Sequence, residues 1–345
     1  MIKMSVLELA QSGRGDDARF VVIVPVFNES ESLFTFHRRL ATVMDCAGEW
    51  KVIYVDDGSD ERTQLVLRKL VYDHANISII RLSRNFGKEL AVTAGLDHAD
   101  ADAIIVIDAD LQDPPEVIPD LIVEWRRGYD MIYAQRRIRQ GDGWVKRATA
   151  ALFYRLMERV GCVRLPRDVG DFRLLSRRAA EAVRQFREHH RFMKGLFASI
   201  GYSSTAVLYD RAPRHAGTTK WNLWGLWNLA LEGITGFTVV PLKISTYVGT
   251  VVAFFSLIYG GQLIVRTVMF GNRVAGYPSL MTVILFMGGI QLVTLGIIGE
   301  YLGRIFNESK MRPLYIIQDV IDYDIFADPI TDEAVLGLER DALRA

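Results

Sequence analysis

Hydrophobic and polar positions follow two patterns along the chain, and the change falls near residue 240. Between residues 20 and about 210, short apolar runs alternate with stretches in which apolar residues recur every three or four positions. Residues 20–26 (FVVIVPV), 51–55 (KVIYV), 77–82 (ISIIRL) and 103–107 (AIIVI) are short and rich in β-branched side chains, so each is predicted as a buried strand. Residues 31–44 and 63–74 carry apolar residues at helical spacing and are predicted as helices. Residues 131–134 are a further strand-like run. Strands apolar on both faces, alternating with helices, predict an α/β domain on a largely parallel sheet.

Past residue 240 the apolar runs lengthen. Residues 244–265 and 280–299 hold no charge. At about 1.5 Å per residue each reaches the roughly 30 Å of a hydrocarbon core. The short connection between them predicts a transmembrane hairpin. Lys243 flanks one outer end, and Arg304, Lys310 and Arg312 flank the other, while Arg266 and Arg273 sit at the turn. The excess at the outer ends places the α/β domain in the cytoplasm. Just ahead, Trp221, Trp224 and Trp227 recur on one face of a predicted helix lying at the membrane interface. The predicted divisions are an extension at 1–19, an α/β domain at 20–215, the interfacial helix at 216–240, the hairpin at 241–304 and a cytoplasmic tail at 305–345. Gly260-Gly261 and Gly288-Gly289 would permit close helix contact in a homo-oligomer.

Composition narrows the function classes. Hydrophobic residues make up 50% and charged residues 24%, which describes a folded chain. Lys+Arg and Asp+Glu both number 41, so no net charge draws the whole chain to nucleic acid. The charge is unevenly spread: between residues 126 and 191 basic residues outnumber acidic ones by roughly 17 to 7. Cys46 and Cys162 make neither a disulfide framework nor a four-cysteine zinc site, and read as small apolar residues in a reducing compartment. Residues 1–19 lack the apolar run of a secretory signal.

The candidate chemistry lies where predicted strands end. Asp108-Ala109-Asp110 follows the 103–107 strand, and in extended chain both carboxylates point the same way. With Gln112 they suit Mg²⁺ or Mn²⁺, a diphosphate completing the shell. Asp56-Asp57-Gly58-Ser59 ends the second strand, with a glycine for a tight turn and Ser59 as a possible helix cap. Pro25, Asn28 and Glu29 end the first strand, with Asn28 a second possible cap and the loop a candidate nucleoside pocket. Arg136, Arg137 and Arg139 follow the 131–134 run, and Arg211, Arg214 and Lys220 precede the interfacial helix. Each is a candidate phosphate contact.

These segments, with Arg84-Asn85-Phe86-Gly87-Lys88, Asp113-Pro114-Pro115-Glu116 and Gly170-Asp171-Phe172-Arg173, resemble the GT-A glycosyltransferases of family 2. The resemblance runs through residues 20–320 and is strongest to polyprenyl-phosphate glycosyltransferases of the bactoprenol glucosyltransferase and dolichol-phosphate mannose synthase type. Lys88 and Trp221 depart from the residues expected there. The resemblance implies inverting, metal-dependent transfer of a hexose from UDP-glucose to undecaprenyl phosphate. Alternatives are mannose transfer from GDP-mannose and polysaccharide elongation. It assigns the uracil edge to Asp57 beside Pro25, Asn28 and Glu29, and the metal to Asp108, Asp110 and Gln112. The catalytic carboxylate is Asp171, with Asp168 as rival. The acceptor phosphate is already mostly dianionic at neutral pH, so Asp171 either acts as a base or orients its neighbours.

Overall fold

A computed structural model describes residues 14, 15, 17–137, 169–189, 191, 193–210, 240–270 and 276–323. The described elements, in chain order, are β1 (Arg19–Val26), α1 (Leu33–Met44), β2 (Glu49–Asp56), α2 (Glu61–Asp73), β3 (Ile77–Leu82), α3 (Lys88–His98), β4 (Ala103–Val106), α4 (Ile118–Arg126), β5 (Met131–Arg136), β6 (Val169–Ser176), α5 (Arg177–Arg184), α6 (Met193–Ser199), β7 (Ser204–Tyr209), α7 (Val240–Phe270), α8 (Tyr277–Ser309) and β8 (Ile317–Asp322). The chain divides into two compact units. One holds Met1–Tyr154, Leu165–Lys220 and Pro313–Ala345, and the other holds Arg155–Arg164 and Trp221–Arg312.

The first unit is built on one eight-stranded sheet in the order β7-β5-β6-β4-β1-β2-β3-β8. β4, β1, β2 and β3 run parallel, as their two-sided apolar character requires. The largely parallel sheet predicted from sequence is in fact mixed. β6 runs antiparallel to both β4 and β5, β7 pairs parallel with β5, and β8 lies antiparallel on β3. Alternate residues supply two cores. Val22, Val24, Tyr54 and Ile105 face α1, α2 and α4, while Ile23, Val55, Ile104 and Val106 face α3, α5 and α6. Helix α3 packs so closely that a side chain at Gly95 would collide with Ile23 Cγ2.

Within the tail predicted at 305–345, residues Ile317–Asp322 form β8, the edge strand of the sheet. Ile317 and Ile321 pack against opposite cores. Ser78 Oγ donates to Asp322, Lys51 pairs with the same carboxylate at 3.5 Å, Ser83 N donates to Ile316 O at 2.9 Å, and Tyr315 OH donates to Asp97 Oδ2 at 2.8 Å. The chain therefore leaves the sheet domain, forms the second unit, and returns to complete the sheet.

In the second unit, α7 and α8 are long and apolar enough to cross a membrane over Leu242–Gln262 and Phe286–Ser309, and neither stretch is buried in protein. Both helices extend beyond the 244–265 and 280–299 runs. Ser245 Oγ lies 3.4 Å from Thr294 Oγ1 between them. Trp221, Trp224 and Trp227 lie outside the described residues, as does Cys162. Cys46 is a free, exposed cysteine.

Because β8 covers the β3 edge, a chain ending at residue 242 should unfold at least about 5 °C below one in which a flexible linker replaces residues 241–312 and keeps β8. Thermal unfolding of the two soluble proteins checks this. Equal midpoints would mean that β8 adds nothing to the domain.

Candidate active site

Ligands in parallel α/β sheets bind beyond the carboxyl ends of the strands, where β1, β2 and β4 deliver residues 27–29, 57–59 and 107–112. The first two loops are stitched together. Asp57 N donates to Val26 O at 2.9 Å, Asn28 N to Ser59 Oγ at 3.1 Å, and Asp60 N to Asn28 Oδ1 at 2.8 Å. Asn28 has φ 57°, a left-handed conformation that asparagine tolerates. Neither expected cap forms: Ser32 stands at the start of α1, and Asp60 caps α2 by accepting from Thr63 N. Glu29 Oε2 accepts from Ser32 Oγ at 3.0 Å. Pro25 lies within β1 beside Val55 of β2.

Asp57 is buried, and burial raises its pKa despite two backbone donors. Its oxygens accept from Phe86 N at 2.7 Å and Gly87 N at 2.9 Å. In this structure Asp57 thus shapes the loop leading into α3. Gly58, at φ 74°, makes that possible: a Cβ there would lie 2.6 Å from Arg84 C and 2.7 Å from Asn85 N.

That loop delivers Lys88. β4 and β6 pair with Val106 opposite Arg173, and continuing the register two residues sets Asp108 opposite Asp171. Lys88 Nζ closes the gap, donating to Asp108 Oδ2 and to Asp171 Oδ2 at 2.6 Å each. Burial opposes the ammonium charge, but the two carboxylates outweigh it and hold the Lys88 pKa above its ordinary value. Burial pushes Asp171 up, yet Lys88 and Lys194 bring it down to about 2. Burial dominates at Asp108, whose pKa is raised. Burial and the Asp171 charge push Glu89 up to about 7. Arg173 is buried below, donating to Gly170 O at 2.9 Å and Asp171 O at 3.2 Å, its guanidinium 3.8 Å from the centre of the Phe197 ring. Lys88 stood out in the sequence only as a departure; Glu89 and Lys194 gave no motif signal.

The strand ends at Val106, so Ala109 and Asp110 lie in a turn. Strand alternation, which the sequence led us to expect, therefore does not aim the two carboxylates. The turn is held instead by Asp110 Oδ1, which accepts from Gln112 N at 3.1 Å, and by Leu111, a buried residue in the left-handed region at φ 58°. Leucine there costs roughly 1–2 kcal/mol, and such strain gathers at functional sites. Among the described residues no three His, Cys, Asp or Glu side chains form a ready metal cluster. The donor set is two carboxylates and the buried Gln112 amide, and it fits a hard divalent cation that takes its remaining ligands from a diphosphate. Asp108 Oδ1 is buried without a hydrogen-bond partner, which also fits.

Arg136 Nε donates to Tyr209 OH at 3.4 Å, and Tyr209 donates to Asp113 at the rim of this group. Arg137 is exposed and pairs with Asp210 at 3.8 Å. Arg139, Asp168, Arg211, Arg214 and Lys220 lie outside the described residues.

Residues 21–184 match the family model described as Glycosyl transferase family 2, and residues 240–305 match that of the GtrB C-terminal hairpin. An uncharacterized glycosyltransferase of Synechocystis, sll0501, is 49% identical over 87% of this chain and 94% of its own. The chain belongs to glycosyl transferase family 2. It is a glycosyltransferase with a GT-A-like mixed α/β fold and a C-terminal hairpin. The bactoprenol glucosyl transferase of Shigella phage SfV is 46% identical over 86% of this chain and 97% of its own. Among solved structures, glucosyl-3-phosphoglycerate synthase from Mycobacterium tuberculosis, in complex with Mn²⁺, UDP-glucose and phosphoglyceric acid, matches at 20% identity and TM-score 0.44, over 66% of this chain and 80% of that one.

Gly58 and Gly87 should respond differently to alanine. Gly87, at φ 97°, has open space around its Cβ position, so Gly87→Ala should cost about 1–3 kcal/mol of backbone strain. Gly58→Ala adds a collision with backbone and should cost several kcal/mol. Chemical denaturation of the two variants checks the order, and equal losses would contradict the close approach.

Proposed function

We propose that this glycosyltransferase is inverting and metal-dependent, and moves glucose from UDP-glucose onto undecaprenyl phosphate at the cytoplasmic face of the inner membrane. The observation that carries the reading is the Lys88 clasp. It joins a metal-type carboxylate, Asp108, to Asp171 from the neighbouring strand, beside the stitched loops of β1 and β2. The printed name of the phage relative, shared along most of both chains, supports bactoprenol phosphate as acceptor and glucose as the sugar. The two apolar helices support a membrane-bound acceptor, crossing as a hairpin whose outer ends face the cytoplasm.

Asp108, Asp110 and Gln112 would hold Mg²⁺ or Mn²⁺, which when bound neutralises the leaving diphosphate. Asp57 holds the 84–87 loop against the donor site, and Pro25, Asn28 and Glu29 line its other side. A phosphate oxygen of the acceptor attacks the anomeric carbon as its bond to UDP breaks, and one such displacement inverts the configuration. A carboxylate with pKa about 2 takes no proton from a phosphate monoester whose second pKa is near 6. We therefore assign Asp171 to orientation: it fixes Lys88 where two anionic substrates meet. Arg136, Arg137, Arg211, Arg214 and Lys220 are assigned to the phosphates.

Purified full-length protein in detergent, given undecaprenyl phosphate, Mn²⁺ and either UDP-[¹⁴C]glucose or GDP-[¹⁴C]mannose, should label lipid from UDP-glucose only. EDTA should abolish the label, and Asp110→Asn should remove most of it. Lipid labelled from GDP-mannose would replace the donor assignment, and full activity in EDTA would remove the metal. Asp171→Asn should lower turnover at least about 10²-fold while keeping UDP affinity, with no recovery at pH 9. Recovery at high pH would restore the general-base role.

A further inference from the structure

The strand that follows the membrane hairpin reaches the donor loops through two buried or half-buried charges. Asp56 is fully buried at the end of β2. Its Oδ1 accepts from Ser59 N at 2.9 Å, and Ser59 Oγ in turn accepts from Asn28 N. Its Oδ2 is buried with no hydrogen-bond partner. The charge facing it is Arg81 of β3, whose Nε lies 3.4 Å away and likewise has no hydrogen-bond partner. The Arg81 side chain is 9% exposed, and its Nη1 lies 3.6 Å from Asp319 Oδ2 on β8. Arg81 thus stands between a carboxylate that shapes the donor turn and a carboxylate supplied from beyond the hairpin.

A buried carboxylate without a counter-charge is costly, so Asp56 keeps its position only while Arg81 faces it. Arg81 has long, flexible reach, and Asp319 restrains it from the other side. The bulged register of β3 against β8 between Arg81 and Leu82 falls at this point.

We propose that Arg81 and Asp319 are positioning residues for the nucleotide-sugar donor, acting through Asp56 on the Ser59–Asn28 junction, so that residues C-terminal to the membrane hairpin are a working part of the donor site. The inference rests on the reading of the β1 and β2 loops as the donor pocket. It assigns a role to Asp319, a half-exposed carboxylate on the edge strand. Neither residue touches the donor; both act on the shape of the loops that do.

The test is UDP affinity by calorimetry on the full-length chain in detergent with Mn²⁺, paired with donor KM and kcat. Asp319→Asn removes a half-exposed pair and should weaken UDP binding about two- to fivefold. Arg81→Met strands Asp56 and should weaken it tenfold or more, and Arg81→Lys should recover most of that loss. Both losses should fall on donor KM, and the double variant should bind no more weakly than Arg81→Met alone. Wild-type affinity in Asp319→Asn, or a fall in kcat with donor KM unchanged, overturns the inference while leaving the donor site standing. Should Arg81→Met fail to fold, Asp319→Asn decides the matter alone. Failure of the unaltered chain to bind UDP overturns the donor-site reading and this inference with it.

Discussion

Two carboxylates brought to one point need a cation between them. Asp171 lies in β6 and Asp108 just past the end of the antiparallel neighbour β4, where the continued register sets them face to face, and both are largely withdrawn from water. Like charges so placed repel strongly, and the repulsion grows as water is excluded. Lys88 answers it with a contact to each, which explains why the loop before α3 is so heavily specified. Asp57 grips its backbone at two amides, and Gly58 lets the neighbouring turn approach within backbone contact. Removing any of these frees the ammonium that the carboxylate pair depends on.

The same charge balance suits the chemistry. The proposed donor and acceptor, a sugar nucleotide and a phosphate-bearing lipid, are both anions, and each would approach a site that already holds acids. Lys88, Lys194, Arg173 and Arg136 surround those acids with positive charge, so a divalent cation and substrate phosphates would each meet opposite charge there. On the proposed reading Asp171, brought down to about 2 by Lys88 and Lys194, keeps this arrangement rather than exchanging protons. The sheet domain supplies all the described groups involved. The apolar helices are inserted into it, since the chain passes through them before laying down its last strand.

Much of this was legible in the sequence where burial on two faces leaves unbroken apolar runs: β1, β2, β3 and β4 could be read directly. The loops after them were legible as chemistry because Asp, Asn and Gly recur just where those runs stop. Helix α3 was not, because Ala91–Leu96 are buried all round and no polar face marks a helical period. β6 was seen only as a motif, since Gly170, Asp171 and Arg173 interrupt its apolar pattern for the sake of the site. β8 was hidden because an edge strand exposes one side, and Asp319 and Asp322 interrupt its apolar pattern. The antiparallel pairing that joins Asp108 to Asp171 spans more than sixty residues of sequence. No local spacing encodes it, which is why Lys88 looked like an exception rather than the centre.

A double-mutant cycle on Lys88 and Asp171 tests this most directly. Thermal unfolding of the full-length protein is compared among the unaltered chain, Lys88→Met, Asp171→Asn and the double variant. If the ammonium exists to reconcile the carboxylates, Lys88→Met is the least stable of the four, and adding Asp171→Asn recovers part of the loss, with a coupling of about 1–3 kcal/mol. Losses that simply add would show that Lys88 and the two acids are stabilised independently, and would contradict the account.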